Sequence, residues 1–206
     1  MISEDITMNV FIEECENIFR LKIKFDTVYT SVFFIKAPNC NILVDCATTE
    51  ADVKECIIPA LNMLGYDLSE IKYLVLTHSH GDHAGGLDTV LSIAPEIEVV
   101  TAEQKLTEDI FSYSLPGHTP DCIGVFDKRT STLLSGDGLQ GAGVDKYRCY
   151  AQDKDSYLQT IEKIRKDKAI KRILFSHAYE PWFKDAVSGR REIEACLDDS
   201  IEYIRR

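Results

Sequence analysis

The chain has five histidines, and each falls where an apolar, strand-like run gives way to a loop: His78, His80 and His83 after Ile71–Thr77, His118 after Leu115, and His177 after Phe175. A fold that brings them together must end several strands at one edge of its sheets. A single histidine beside a strand is ordinarily a satisfied surface or core residue. Five at strand ends point instead to a metal centre, because neutral imidazole is the commonest protein ligand for a catalytic metal. The local order His78-Ser79-His80-Gly81-Asp82-His83 strengthens this. Residues at i and i+2 of an extended turn point the same way, so His78 and His80 can grip one ion while Asp82 and His83 face a neighbouring one. Gly81, Gly85 and Gly86 are expected to give the loop backbone freedom before the next helix.

The rest of the chain reads as strands and helices in alternation. Ile6–Glu13, Phe19–Phe25, Tyr29–Lys36 and Asn41–Asp45 predict an antiparallel opening. Glu50–Leu64 carries apolar residues at helical spacing and is stopped by Gly65. Leu87–Ala94 predicts a helix, and Ile97–Thr101, Tyr113–Leu115, Ile123–Asp127, Thr132–Ser135 and Arg172–Ser176 predict strands. Ser156–Arg165 and a helix capped by Ser188 each show one apolar stripe. The order fits an α+β chain of two sheets sandwiched between helices, organised as one domain over residues 1–206.

Composition removes several partners. The 206 residues carry a net charge of −11, and no run of Lys or Arg exceeds two. A phosphate backbone or an anionic membrane finds no basic stripe, so neither nucleic acid nor membrane is expected. Met1–Arg20 has five acidic residues and no apolar core of a secretory signal, and seven cysteines lack any Cys-x-x-Cys pairing. Reduced thiols in a cytoplasmic protein are expected.

The cluster His78–His83 resembles the H-x-H-x-D-H signature of the metallo-β-lactamase superfamily. Gly117-His118-Thr119-Pro120 is similar to its Gly-His-Thr-Pro segment, Ser135-Gly136-Asp137 to its Gly-Asp segment, Phe175-Ser176-His177 to its last histidine, and Val44-Asp45 to its early strand ending in Asp. Five such segments in family order are far more specific than one. The resemblance implies an αββα sandwich of two mixed sheets. It implies that His78, His80 and His118 hold one metal and Asp82, His83 and His177 a second, with Asp137 bridging them. The implied reaction is attack by a hydroxide, bridging two divalent ions, on an ester, thioester or lactone carbonyl of a small molecule, with Asp82 as the catalytic carboxylate. Two such cations, less two carboxylates and one hydroxide, leave a charge of about +1, so the substrate can be anionic. Zinc is the expected metal, with iron or manganese as alternatives. The other readings of the same ligands are an iron-dependent oxidoreductase and a phosphodiesterase.

Departures from the family sharpen this. His80 stands where diiron flavoproteins have Glu, which favours zinc, and Asp137 argues against β-lactam hydrolysis. Only 35 positions separate His83 from His118, which predicts an open pocket on that side, and the 29 residues after His177 disfavour a glutathione-thioester role. Asp45 is either a turn residue or a partner orienting a ligand histidine. Tyr147, Tyr150 and Tyr179 could donate to a substrate oxygen or simply pack, and Cys122 and Cys149 read as structural thiols.

Overall fold

A computed structural model of the chain describes residues 9–25, 28–140, 151–178 and 184–205. Its first sheet has six strands in sequential order: β1 (Ile12–Cys15), β2 (Ile18–Phe25), β3 (Val28–Ala37), β4 (Cys40–Val44), β5 (Ile71–Val75) and β6 (Glu98–Val100). The first four pair antiparallel, and β4, β5 and β6 pair parallel. The second sheet has five, β7 (Ile110–Ser114), β8 (Ile123–Asp127), β9 (Thr132–Leu134), β10 (Arg172–Leu174) and β11 (Ala186–Ser188), in the order β11-β10-β9-β8-β7. Here β9 and β10 are the parallel pair. Both sheets are therefore mixed.

Alternation sets which face goes where. Ile18, Phe33, Ile35, Ile42, Val44 and Val75 of the first sheet meet Ile110, Ile123, Val125, Leu134 and Leu174 of the second in a dry inner core. Leu21, Val32, Phe34, Leu43 and Leu74, on the opposite face, are covered by Val53, Ile57 and Leu61 and by Val90. These come from a wide π-type stretch, Asp52–Ile57, that runs into α1 (Ile58–Met63), and from α3 (Leu87–Ile93). A four-residue helix, α2 (Gly81–Ala84), lies between. The outer face of the second sheet is covered by α4 (Lys154–Lys166) and α5 (Arg190–Arg205) through Ile161, Ile164, Ile193 and Leu197. The layers are αββα, and each fully buried Ile, Leu, Val or Phe contributes about 1.5–3 kcal/mol.

Three expectations shift. In the expected strand Ile6–Glu13, residues 6–8 lie outside the described residues, residues 9–11 are not strand, and β1 runs Ile12–Cys15. β7 begins at Ile110; the buried polar Ser112, whose hydroxyl donates to the Ala102 carbonyl at 2.6 Å, had hidden the apolar pattern. Ser188 does not cap a helix. It ends β11, a strand too short to show a period, and its N–H donates to Glu192 Oε2 at 3.1 Å while Gly189 makes the turn into α5.

One salt-linked side chain ties the sheets together. Arg20 of β2 is 1% exposed. It donates from Nη1 to the Phe175 carbonyl at 3.0 Å and from Nη2 to the Asp185 carbonyl at 2.8 Å, and pairs with Glu14 at 2.8 Å.

Candidate metal centre

Strand polarity assembles the site. β4 and β5 run parallel, as do β9 and β10, and β7 shares their direction because β8 is antiparallel to both β7 and β9. The carboxyl ends of five strands thus open on one edge, the usual place for a site in such sheets. Asp45 follows β4, His78 to His83 follow β5, His118 follows β7, Asp137 follows β9 and His177 follows β10.

The seven expected ligand residues come together in overlapping groups: His78 with His80 and His118, Asp82 with His83 and His177, and Asp137 with His78 and His83, with ligand atoms inside each group all within 4.8 Å. The His80 Nδ1 to His118 Nε2 distance is 3.0 Å and that from His83 Nε2 to His177 Nε2 is 3.1 Å. Asp82 Oδ2 lies 3.3 Å from His177 Nε2 and 3.5 Å from His83 Nε2. Asp137 faces both groups, Oδ1 at 3.4 Å from His177 Nε2 and Oδ2 at 3.6 Å from His118 Nε2. Two nitrogens each about 2.0–2.1 Å from a tetrahedral ion are about 3.4 Å apart, so these separations fit cations. Two buried atoms without hydrogen-bond partners, His78 Nε2 and Asp137 Oδ1, fit the same purpose.

The turn after β5 is held from below. Asp45 accepts from the Thr77 N–H at 2.8 Å, from the Thr77 hydroxyl at 2.9 Å and from His83 Nδ1 at 2.8 Å. That last contact sets the tautomer so that His83 Nε2 faces the site. Asp45 is at once a turn residue, at φ 64°, and an orienting partner. His80 is extended, and α2 then carries Asp82 and His83. Gly85 and Gly86 have ordinary right-handed backbone, so loop freedom is not their role. A Cβ on Gly85 would stand 2.1 Å from the Thr48 carbonyl oxygen, and one on Gly86 2.3 Å from that of Cys46: the glycines let α2 lie on the turn after β4. Gly136 is different. At φ 53° it favours glycine, and a Cβ there would meet Thr77 Cβ at 2.6 Å, which marks where the two sheets' ligand segments touch.

The remaining three expected ligand residues have separate supports. His177 Nδ1 donates to the Tyr29 carbonyl at 2.7 Å. The segment before His118 is gripped by α4 and its approach: the Gln152 N–H donates to the His118 carbonyl at 3.2 Å, the Asp153 N–H to Gly117 at 3.1 Å and the Thr160 hydroxyl to Pro116 at 2.7 Å. Asp137 Oδ2 accepts from Gln140 Nε2 at 3.1 Å. Sequence reasoning missed Thr77, Gln140 and the Tyr29 carbonyl, since nothing in a motif marks a hydroxyl, an amide or a backbone oxygen as a support. Tyr147, Cys149, Tyr150 and Tyr179 lie outside the described residues. Cys122 is buried beside the site with its thiol against the Thr119 hydroxyl at 3.1 Å; burial pushes its pKa up to about 12, so it stays a neutral packing group.

The electrostatics sort the groups. Burial, together with neighbouring imidazoles, pulls the His78 pKa down to about 3, which leaves a neutral lone pair. Burial also opposes charge on His83, but Asp45, Asp137 and Asp82 outweigh it and raise its pKa to about 9. His177 is raised for the same reason, against its burial, chiefly by Asp137. Burial would raise Asp82, yet the His177 hydrogen bond and the His83 charge bring it down to about 2; Asp137 is likewise lowered against its burial by the surrounding histidines. One buried carboxylate, Asp137, and one half-buried, Asp82, thus demand positive charge at this spot, as a cation site requires.

Residues 25–108 match the metallo-beta-lactamase superfamily. A beta-lactamase-like protein 2 homolog of Caenorhabditis elegans is 29% identical over 158 residues, covering 66% of this chain and 52% of that protein. Bacillus subtilis (strain 168) YobT is 29% identical over 58% of this chain and 70% of its own length. The atrochrysone carboxyl ACP thioesterase of Claviceps purpurea is 23% identical over 68% of this chain and 48% of its own. The chain thus spans about half the length of two of these relatives. Among solved structures, DIM-1 metallo-beta-lactamase superposes with a TM-score of 0.73 at 16% identity over 95% of this chain and 96% of that one. The mono-zinc form of FIM-1 from Pseudomonas aeruginosa gives 0.71 at 17% identity over 96% of each chain. At such identities the likeness is one of fold. The chain is thus similar to the metallo-β-lactamase superfamily over residues 25–108 and shares the αββα fold of metallo-β-lactamases, with the ordered His and Asp motifs converging on one edge of the sandwich.

Proposed function

We propose that residues 1–206 form one metal-dependent hydrolase domain that holds two divalent cations, zinc above all, and cleaves an ester, thioester or lactone of a small, anionic substrate. The observation that carries this reading is Asp137, whose two oxygens face two different ligand groups, His118 on one side and His83 and His177 on the other. His78, His80 and His118 would hold one ion, Asp82, His83 and His177 the other, and Asp137 both. When bound, the pair supplies Lewis acidity toward a carbonyl oxygen and lowers the pKa of a water to about 7. The chain's own part is orientation and proton handling. Asp82, with 19% of its side chain exposed, is the more open of the two carboxylates. Its carboxylate would take a proton from the attacking water and return it to the leaving group. His80 is half-buried on the same rim, where a substrate would enter. A thioesterase among the relatives supports the thioester branch. The free thiols of Cys15, Cys40, Cys46, Cys56 and Cys122 support a reducing, cytoplasmic setting. No helix among the described residues is long and apolar enough to cross a membrane.

The test is a hydrolysis screen over thioesters, lactones, phosphodiesters and β-lactams on metal-quantified protein. Two ions per chain at saturation and turnover of a carbonyl substrate are expected. One ion or fewer, with no gain on adding zinc, sinks the paired centre; bound iron with redox turnover and no hydrolysis overturns the reaction.

A further inference from the structure

Asp137 does not present its oxygens equally. Oδ1 is buried without a hydrogen-bond partner and lies 3.6 Å from His83 Nε2 and 3.4 Å from His177 Nε2. Oδ2 already accepts the Gln140 amide at 3.1 Å. Gln140 is itself 9% exposed and anchored through its backbone, since its N–H donates to the hydroxyl of Tyr157, a fully buried residue of α4, at 3.0 Å. The amide therefore reaches the carboxylate from a fixed platform. Its carbonyl end, Oε1, is buried with no partner. Turning the amide over would set two acceptors, carbonyl and carboxylate, against each other, so the chemistry fixes Nε2 toward Asp137. An unmet buried acceptor is costly, and an apolar side chain at position 140 would avoid that cost.

We infer that Gln140 is a positioning residue for Asp137. Its N–H occupies one lone pair of Oδ2 and fixes the carboxylate plane so that one oxygen serves each ligand group. Without it, the carboxylate can turn about its terminal torsion, which is soft, and offer both oxygens to one group. This rests on the reading of Asp137 as a shared ligand. Its consequence is specific: loss of Gln140 weakens the second cation to bind and spares the first.

The test measures both steps of zinc binding by competition with a chromophoric chelator on the full chain, for Gln140→Leu, Gln140→Met, Asp137→Asn and the Gln140→Leu/Asp137→Asn double variant. Thermal melting of the metal-stripped proteins identifies any variant that fails to fold, and the unbranched Met variant replaces Leu if Leu does. Gln140→Leu should weaken the second step about 10–100-fold, the usual effect of removing a partner of a ligand, and shift the first by less than about 3-fold. In the Asp137→Asn background the same change should add nothing, because residues that act through one another are not additive. Equal loss in both steps, no loss, or the same loss without the Asp137 carboxylate overturns the inference. If Asp137→Asn alone keeps two tightly bound ions, the shared-ligand reading itself fails. If it loses one while Gln140→Leu keeps both, only the role of Gln140 fails.

Discussion

The six-stranded half delivers its ligand-type residues from one stretch of chain, and the five-stranded half delivers them from three. His78, His80, Asp82 and His83 sit within six residues and share one support, the Asp45–Thr77 knot beneath them. His118, Asp137 and His177 leave separate strands, and each leans on a different neighbour: α4, Gln140 and the Tyr29 carbonyl. The contrast teaches that one damaged support in the first half should disturb the whole centre, whereas one in the second should disturb a single position.

The largest expected effect falls on the compact half itself. Asp82→Ala removes the proposed proton acceptor from a position that is not deeply buried, so turnover should drop about 10²–10⁴-fold while the melting temperature barely moves. Kinetics and melting on one preparation check it; a large melting loss with unaltered activity per folded molecule contradicts the assignment.

Next comes the scattered half. Arg20→Met removes the donors to the Phe175 and Asp185 carbonyls and the link between sheets beneath His177. Stability should fall by about 3–5 kcal/mol, as when a buried ion's pairing is broken, measurable by urea unfolding. The folded fraction should show weaker metal binding only at the group that contains His177. Equal weakening of both cation sites would break the comparison.

The smallest effect tests the shared support. Asp45→Asn keeps the turn but supplies one acceptor oxygen where two served Thr77 and His83, so both zinc-binding steps should weaken about 10–100-fold. Competition titration decides: a loss confined to one step means that the compact half is not held as a unit.

What the sequence showed and concealed follows the same line. The run His78–His83 declares itself because its spacing is local, and the αββα layering was legible because apolar alternation and helical stripes are local too. β11 escaped because three residues show no period, and β7 was placed late because its buried Ser112 reads as polar. Gln140 escaped because its meaning lies in a contact with Asp137 that no pattern encodes. The glycines after the motif were misread for a related reason: their importance is the nearness of the Cys46 and Thr48 carbonyls, residues about 40 positions back in the chain.

The bond between His177 and the Tyr29 carbonyl joins residues 148 positions apart, and Arg20 reaches across 155 and 165 positions to Phe175 and Asp185, whereas Asp45 meets His83 across only 38. Loop-closure entropy grows as the logarithm of separation, so the long contacts cost about 1 kcal/mol more to close than the short one. During synthesis the difference is larger still. The Asp45–His83 knot has all its atoms once residue 83 has emerged, but Arg20 finds its last acceptor only when residue 185 has. The histidine loop can therefore set early while the closing clasp waits for the end of the chain, and a correctly placed His177 marks a finished fold.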